Sequence, residues 1–177
     1  MGGESGIRRG IGGILYGNMA TASVRLVLGA LLLFAGSLKI GDPEQFALVI
    51  ARYGVLPDFL LPYGAVMVPV LEALTGILLI IGYRVRAASL VGAVMMALFS
   101  LFIAVAMAGG ERFDCGCFYF GRLGLGISET VGPWVLARDL VFLAGFLLLL
   151  RAHRHLFSLE NFIEKIRLRN LEKTRYE

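Results

Sequence analysis

The sequence predicts an all-α, polytopic membrane protein: a bundle of four transmembrane helices, with a Cys-Gly-Cys motif in an outer loop and an amphipathic helix at the C-terminus. Three observations carry this expectation. Of 177 residues, 58% are hydrophobic and 17% charged, against about 25% charged in a soluble globular chain. Four apolar runs approach the roughly 20 residues that a bilayer-spanning helix needs. Lysine and arginine fall unevenly among the segments between those runs. A net charge of +4 would suggest anionic partners in a soluble chain, but here most of it is an orientation signal. Finger spacings and a basic recognition helix are absent, so no nucleic-acid partner is expected.

The elements follow in order. Residues 1–22 form an N-terminal tail with Arg8 and Arg9. The first span, residues 23–40, reads SVRLVLGALLLFAGSLKI. Its leucine-rich core is followed by Ser37, Leu38 and Lys39, a poor small-residue cleavage site, so it is read as retained rather than as a signal peptide. Residues 41–61 form the first outer loop. There Asp42 can cap a short helix with Pro43 at its first position, and Phe46, Val49 and Ile50 make one apolar face that can roof a cavity between the spans. The second and third spans, residues 62–82 and 87–109, are joined by the short turn YRVR and form an antiparallel hairpin. Residues 110–130 form the second outer loop, and residues 131–150 the fourth span. From residue 151 to 177 a basic stretch places Leu159, Phe162, Ile163 and Ile166 on one helical face, as an interfacial helix would. His153 and His155, flanked by arginines, are read as interface residues.

Eleven lysines and arginines fall in the N-terminal tail, the YRVR turn and the C-terminal stretch, and four (Lys39, Arg52, Arg112 and Arg122) on the other side. Positive residues concentrate on the cytoplasmic side, so both termini are expected there. Residues 41–61 and 110–130 are then expected to face out.

Four ionisable residues interrupt the spans: Arg25, Glu72, Arg138 and Asp139. Such residues are costly in hydrocarbon and face partners or a cavity. Arg25, near the start of its span, either snorkels to headgroups or faces a partner within the bundle. Glu72 is too short and too deep to snorkel. Together with Lys39, it and the Arg138–Asp139 pair belong to one outer half of the bundle. Arg138 and Asp139 are helix neighbours about 100° apart and are expected to serve different partners. Two readings stay open: a packing lock between helices, or the polar floor of a site that moves protons or holds a polar head.

Both cysteines, Cys115 and Cys117, lie in the second outer loop within DCGCFYFG. With one residue between them, a disulfide needs a tight turn, and Gly116 supplies the backbone freedom. The ring would enclose almost no chain, so stabilisation is a weak reason for it. A readily exchanged disulfide suits a redox site. Inert thiols are the alternative. A closed zinc site needs four ligands, and both histidines lie on the opposite side, so no metal is expected.

The sequence resembles the methylamine-utilisation MauE proteins and the wider DoxX-like membrane proteins. The resemblance rests on RLVLGALLLFAGSLKI with Arg25, Gly29, Gly36 and Lys39, on PVLEALTG with Pro69, Glu72 and Gly76, on CGCF from Cys115 to Phe118, and on Arg138 with Asp139 in the last span. It covers about residues 21–150. It implies a four-helix protein of the bacterial inner membrane, linked to a periplasmic thioredoxin-like partner and to disulfide-rich client enzymes. Cys115 and Cys117 match the family's cysteine pair, and Glu72 its acidic residue in the second span. The family has a glycine directly after the phenylalanine, where Tyr119 and Phe120 intervene here.

The resulting expectation is a membrane thiol-disulfide oxidoreductase with Cys115, Cys117 and Glu72 in catalytic roles. A quinone held near Lys39, Arg138 and Asp139 is the membrane-embedded electron carrier such a cycle would use. The other classes are a non-enzymatic assembly or scaffold subunit, alone or as a homo-oligomer, and a small transporter.

Overall fold

The protein is all-α, and four of its helices are long and apolar enough to cross a membrane. The computed structural model describes residues 4–116 and 130–152, with side chains from residue 19 onward. Cys117, the glycine-rich run that follows it and the C-terminal amphipathic stretch lie outside the described residues.

Helix α1 runs Glu4–Ile40 and so begins inside the stretch expected as a tail; its membrane-length apolar part is Met19–Ile40. Helix α2, Pro43–Arg52, forms as the sequence suggests. The Asp42 side chain accepts from the Gln45 backbone N–H at 3.2 Å, and Pro43 occupies the first turn, where its missing N–H has no partner to lose. A 3₁₀ turn, Asp58–Leu60, leads into α3, Leu61–Ile81. Gly82 and Arg84 both take left-handed backbone conformations, with φ of 75° and 46°. They reverse the chain within three residues into α4, Val85–Ala108. Helix α5 spans Pro133–Arg151.

The bundle is built from two tight pairs, α1 against α3 and α4 against α5. Lipid tails are as apolar as leucine, so helices in a bilayer associate by close packing. Three glycines supply it between α1 and α3. A Cβ on Gly76 would lie 2.6 Å from the Leu33 nitrogen, and one on Gly36 would lie 2.7 Å from the Pro69 oxygen. Gly29 meets Gly76 in the same seam. In the second pair, Gly92 receives the Phe146 ring. Leu28 and Leu79 of the first pair join Val85, Phe146 and Leu149 of the second in one buried core.

A second apolar cluster (Ile103, Phe113, Cys115, Val131 and Val135) closes the end of the bundle that carries Lys39. There the Val131 N–H donates to the Phe113 carbonyl at 2.8 Å, and Asp114 bridges to Thr130. The base of the cysteine loop is thereby tied to the start of α5. Phe59, Tyr63 and Trp134 are exposed at this same end, as aromatic side chains at a membrane interface are. Outward positions along the helices, such as Val27, Met67, Leu101 and Val141, are apolar and exposed.

Of the two readings left open for Arg25, the structure supports the buried one: it is 2% exposed. Fourteen residues separate it from Lys39, close to four helical turns. It therefore lies on the buried stripe of α1, with Leu28, Leu32, Ala35 and Lys39.

Candidate functional site

Lys39 is the penultimate residue of α1, and Glu72 lies in the middle of α3. A helical Cα–Cβ bond tilts toward the helix N-terminus, so the side chain of Lys39 leans back into the bundle and reaches down to the carboxylate. Its Nζ donates to both Glu72 oxygens, at 2.6 and 2.8 Å, and each side chain is 2% exposed. The ammonium also sits 5.1 Å from the centroid of the Phe46 ring and 5.5 Å from that of Phe99. Both are within cation–π range.

Arg138 and Asp139 bond to each other, which corrects the expectation that they serve different partners. The Arg138 Nε and Nη2 donate to Asp139 Oδ1 at 3.0 and 2.9 Å. A guanidinium on a three-carbon stem can curl round the helix by the angle that separates neighbours, and burial of Asp139 favours that curl. Arg138 also lies over the Phe142 ring.

Lys39, Glu72, Arg138 and Asp139 line one cavity, walled by Leu28, Leu32, Met96, Phe99, Phe142 and Phe146. Cations at one end and apolar walls elsewhere have the chemistry of a site for a polar-headed apolar molecule such as a quinone. The volume does not: it is about 30 Å³, room for a water or two and too little for a ring. Among the described residues, no three of His, Cys, Asp and Glu gather as metal ligands would.

A second, smaller cavity of about 10 Å³ shares Lys39 with the first. Lys39, Asp42, Gln45, Phe46, Val49 and Gly116 line it. Lys39 is thus shared between the membrane-embedded cavity and the middle residue of the Cys-Gly-Cys motif. Gly116 turns with φ of 68°, and its N–H donates to Asp114 Oδ1 at 3.0 Å. The Tyr53 hydroxyl donates to the Cys115 carbonyl at 3.1 Å, and its ring stacks edge-on against Phe113. Cys115 is buried; Cys117 is outside the described residues.

Sequence reasoning placed α2 over the bundle but missed Tyr53 and Val49 as supports of the cysteine turn, and Phe46 and Phe99 as the faces around Lys39. Phe46 and Val49, three residues apart on the apolar face of α2, were a legible signal. Tyr53 was not, because its hydrogen bond joins residues 62 positions apart.

Replacing Gly116 by alanine tests the seat of the turn. A Cβ there would lie 2.6 Å from Val49 Cγ1, and the positive φ disfavours any L side chain. The Gly116→Ala protein should lose about 1–3 kcal/mol in thermal or denaturant unfolding in detergent. Adding Val49→Ala should return part of that loss, since it relieves the collision but not the backbone strain.

Comparison with known proteins fits this architecture. The family model described as methylamine utilisation protein MauE matches residues 17–152. The chain is 28% identical over 127 residues to the methylamine utilization protein MauE of Paracoccus denitrificans, covering 71% of this chain and 66% of that one. It is 40% identical over 100 residues to the protein of the same name from Methylophilus methylotrophus, covering 55% and 50%. The matches therefore span between half and two thirds of those relatives. No solved structure matches the chain.

Proposed function

The chain belongs to the MauE family of polytopic membrane proteins, and from that premise we propose that it is a thiol-disulfide exchange protein. Cys115 and Cys117 cycle between dithiol and disulfide, and the partner is a periplasmic thioredoxin-like protein that serves the maturation of disulfide-containing enzymes. Both termini lie in the cytoplasm of a bacterial cell, and the cysteine loop faces the periplasm. The lysine and arginine asymmetry supports that orientation.

One observation carries the reading. The residue between the two cysteines is held in a left-handed turn against Phe46 and Val49 of α2, and it lines a small cavity together with Lys39 of the buried ion pair. A turn made only to connect α4 to α5 has no need of such a seat.

In the exchange, a thiolate of one protein attacks a sulfur of the other's disulfide. One S–S bond breaks, a mixed disulfide forms, and the departing sulfur takes a proton. The second thiol of the attacking pair then resolves the mixed disulfide. Two electrons and two protons pass from one dithiol to the other disulfide, and nothing else is consumed. A single residue separates the two cysteines in the sequence, so resolution is local.

The scaffold reading keeps one observation of its own: Lys39 and Glu72 pair across α1 and α3 with both carboxylate oxygens engaged, as a packing lock between helices would. Partner trapping separates the two. Of Cys115→Ser and Cys117→Ser expressed in cells, one should accumulate a reductant-sensitive adduct with a periplasmic thiol protein, and the double variant none. If neither single variant forms an adduct and the double variant still supports client maturation, exchange is wrong and the scaffold reading stands.

A further inference from the structure

Lys39 lines both cavities: the larger with Glu72, Arg138 and Asp139, the smaller with Asp42, Gln45, Phe46 and Gly116. Its ammonium sits at the boundary. It is 5.1 Å from the ring of Phe46, a wall of the smaller cavity, and 5.5 Å from that of Phe99, a wall of the larger. The two cavities have different surroundings. In the smaller, Asp42 is half-buried and Gln45 is exposed to solvent. The larger is walled by Leu28, Leu32 and Phe146, which join Leu79 and Leu149 in a core where none of the five is more than 6% exposed.

Water therefore has an approach to the ion pair from the α2 side, while among the described residues the core closes the opposite one. The smaller cavity, about 10 Å³, is close to the least that holds one water, and such a water needs two or more polar partners. The Asp42 carboxylate and the Gln45 amide offer them on the solvent side, and Lys39 on the buried side. An ammonium has three N–H donors. Two bonds go to the Glu72 oxygens, and the third donor can serve this water.

We propose that Glu72 is a proton-exchange site, supplied through the smaller cavity and past Lys39 from the face that carries α2. The ligand is a proton delivered by water. One O–H bond of a hydronium ion breaks, one forms on the Glu72 carboxylate, and nothing is oxidised or reduced. Lys39 keeps a hydrogen bond to the carbonyl oxygen of the resulting acid, so the ammonium is not stranded. Ionisable groups inside membrane bundles mark proton and ion routes. The inference goes beyond the exchange reading and does not depend on the cysteines.

The other charged groups around the pair do not offer the same route. Asp139, on α5, is the second carboxylate of the larger cavity, but Arg138 holds it and neither residue lines the smaller cavity. Asp114, in the cysteine loop, is bonded to the Gly116 N–H. Asp42 caps α2, and α4 brings no charged residue to either cavity.

The test is infrared spectroscopy of the protein in detergent micelles, with circular dichroism to confirm that it stays folded. As the pH is lowered from neutral, a carboxylic-acid C=O band should appear that Glu72→Gln removes and Asp139→Asn retains. In deuterium oxide that band should shift as its proton exchanges. Asp42→Asn combined with Gln45→Leu takes away polar partners of the water, while asparagine still caps α2, and the exchange should slow severalfold.

A packing lock keeps its carboxylate charged until the protein unfolds, so a folded protein without the band overturns the proposal. A band that exchanges equally fast in the Asp42→Asn, Gln45→Leu protein overturns the route. Should Glu72→Gln not fold, Glu72→Asp keeps a carboxyl and should move the band; an unmoved band then assigns the proton elsewhere and overturns the proposal. The Cys115→Ser, Cys117→Ser protein should show the same band, so failure of partner trapping and failure of this inference are read separately.

Discussion

The Lys39→Met protein should be less stable than the parent by about 3–5 kcal/mol, the usual cost of breaking a buried pair by removing one partner. The loss does not come from the attraction alone. Glu72 is 2% exposed and accepts a hydrogen bond from Lys39 at each carboxylate oxygen, so the truncated protein must hold an uncompensated carboxylate between apolar helices. Glu72→Leu should cost about as much, because the ammonium is then left against Phe46 and Phe99 with only their ring faces to meet it. Combining the two replacements should recover most of the stability, since apolar groups of similar volume can replace a buried pair at little net cost. Unfolding of all four proteins in one detergent forms a double-mutant cycle. Losses that simply add would show that the two groups do not act as a pair.

How much of this was legible beforehand depends on which residues carried a local signal. The four spans and the α2 cap were readable, because apolar run length and the Asp-Pro start are local patterns that the bilayer and the helix N-terminus each demand. That Glu72 needs a buried partner was also readable, since a short carboxylate deep in a span has few alternatives. Which cation would reach it was a matter of direction. Lys39 reaches it because a side chain near the C-terminus of a helix leans back along that helix. The same geometry applied to Arg138 shows why the sequence misled there: a 100° separation between neighbours limits short side chains but not a guanidinium that can curl back. Arg25 was left open for another reason. Its position was measured from the start of the apolar run, whereas the helix itself begins at Glu4; its face, shared with Lys39 by helical period, was the better guide. The seat of Gly116 on Val49 and the Tyr53 hydrogen bond to Cys115 join distant parts of the chain, and no local pattern announces them.

The spacing of α1 and α3 is the other feature on which both the fold and the site depend, and Gly76→Ala should damage both. A Cβ at that position would come within 2.6 Å of the Leu33 nitrogen and 2.7 Å of the Gly29 oxygen. These are backbone atoms, so no rotamer change relieves the collision and the helices must part. Overpacking that side chains can absorb costs about 1–3 kcal/mol; here the expected loss lies at the top of that range or above it, because separating the helices forfeits the dispersion contacts along the whole seam. Gly145→Ala is the internal control. Its Cβ would meet the Leu28 Cδ1 at 3.0 Å, the end of a flexible side chain, and unfolding in detergent should shift little. Gly36→Ala should resemble Gly76→Ala but act more directly on the site. The atoms it would strike, the Pro69 oxygen and the Ala73 nitrogen, flank Glu72 on α3. Pushing that segment away from α1 draws the carboxylate off Lys39, so Gly36→Ala should also weaken the dependence of stability on Lys39. In a Gly36→Ala background, adding Lys39→Met should cost clearly less than it does in the parent. Equal costs in the two backgrounds would mean that the ion pair holds its geometry without the close approach of the two helices.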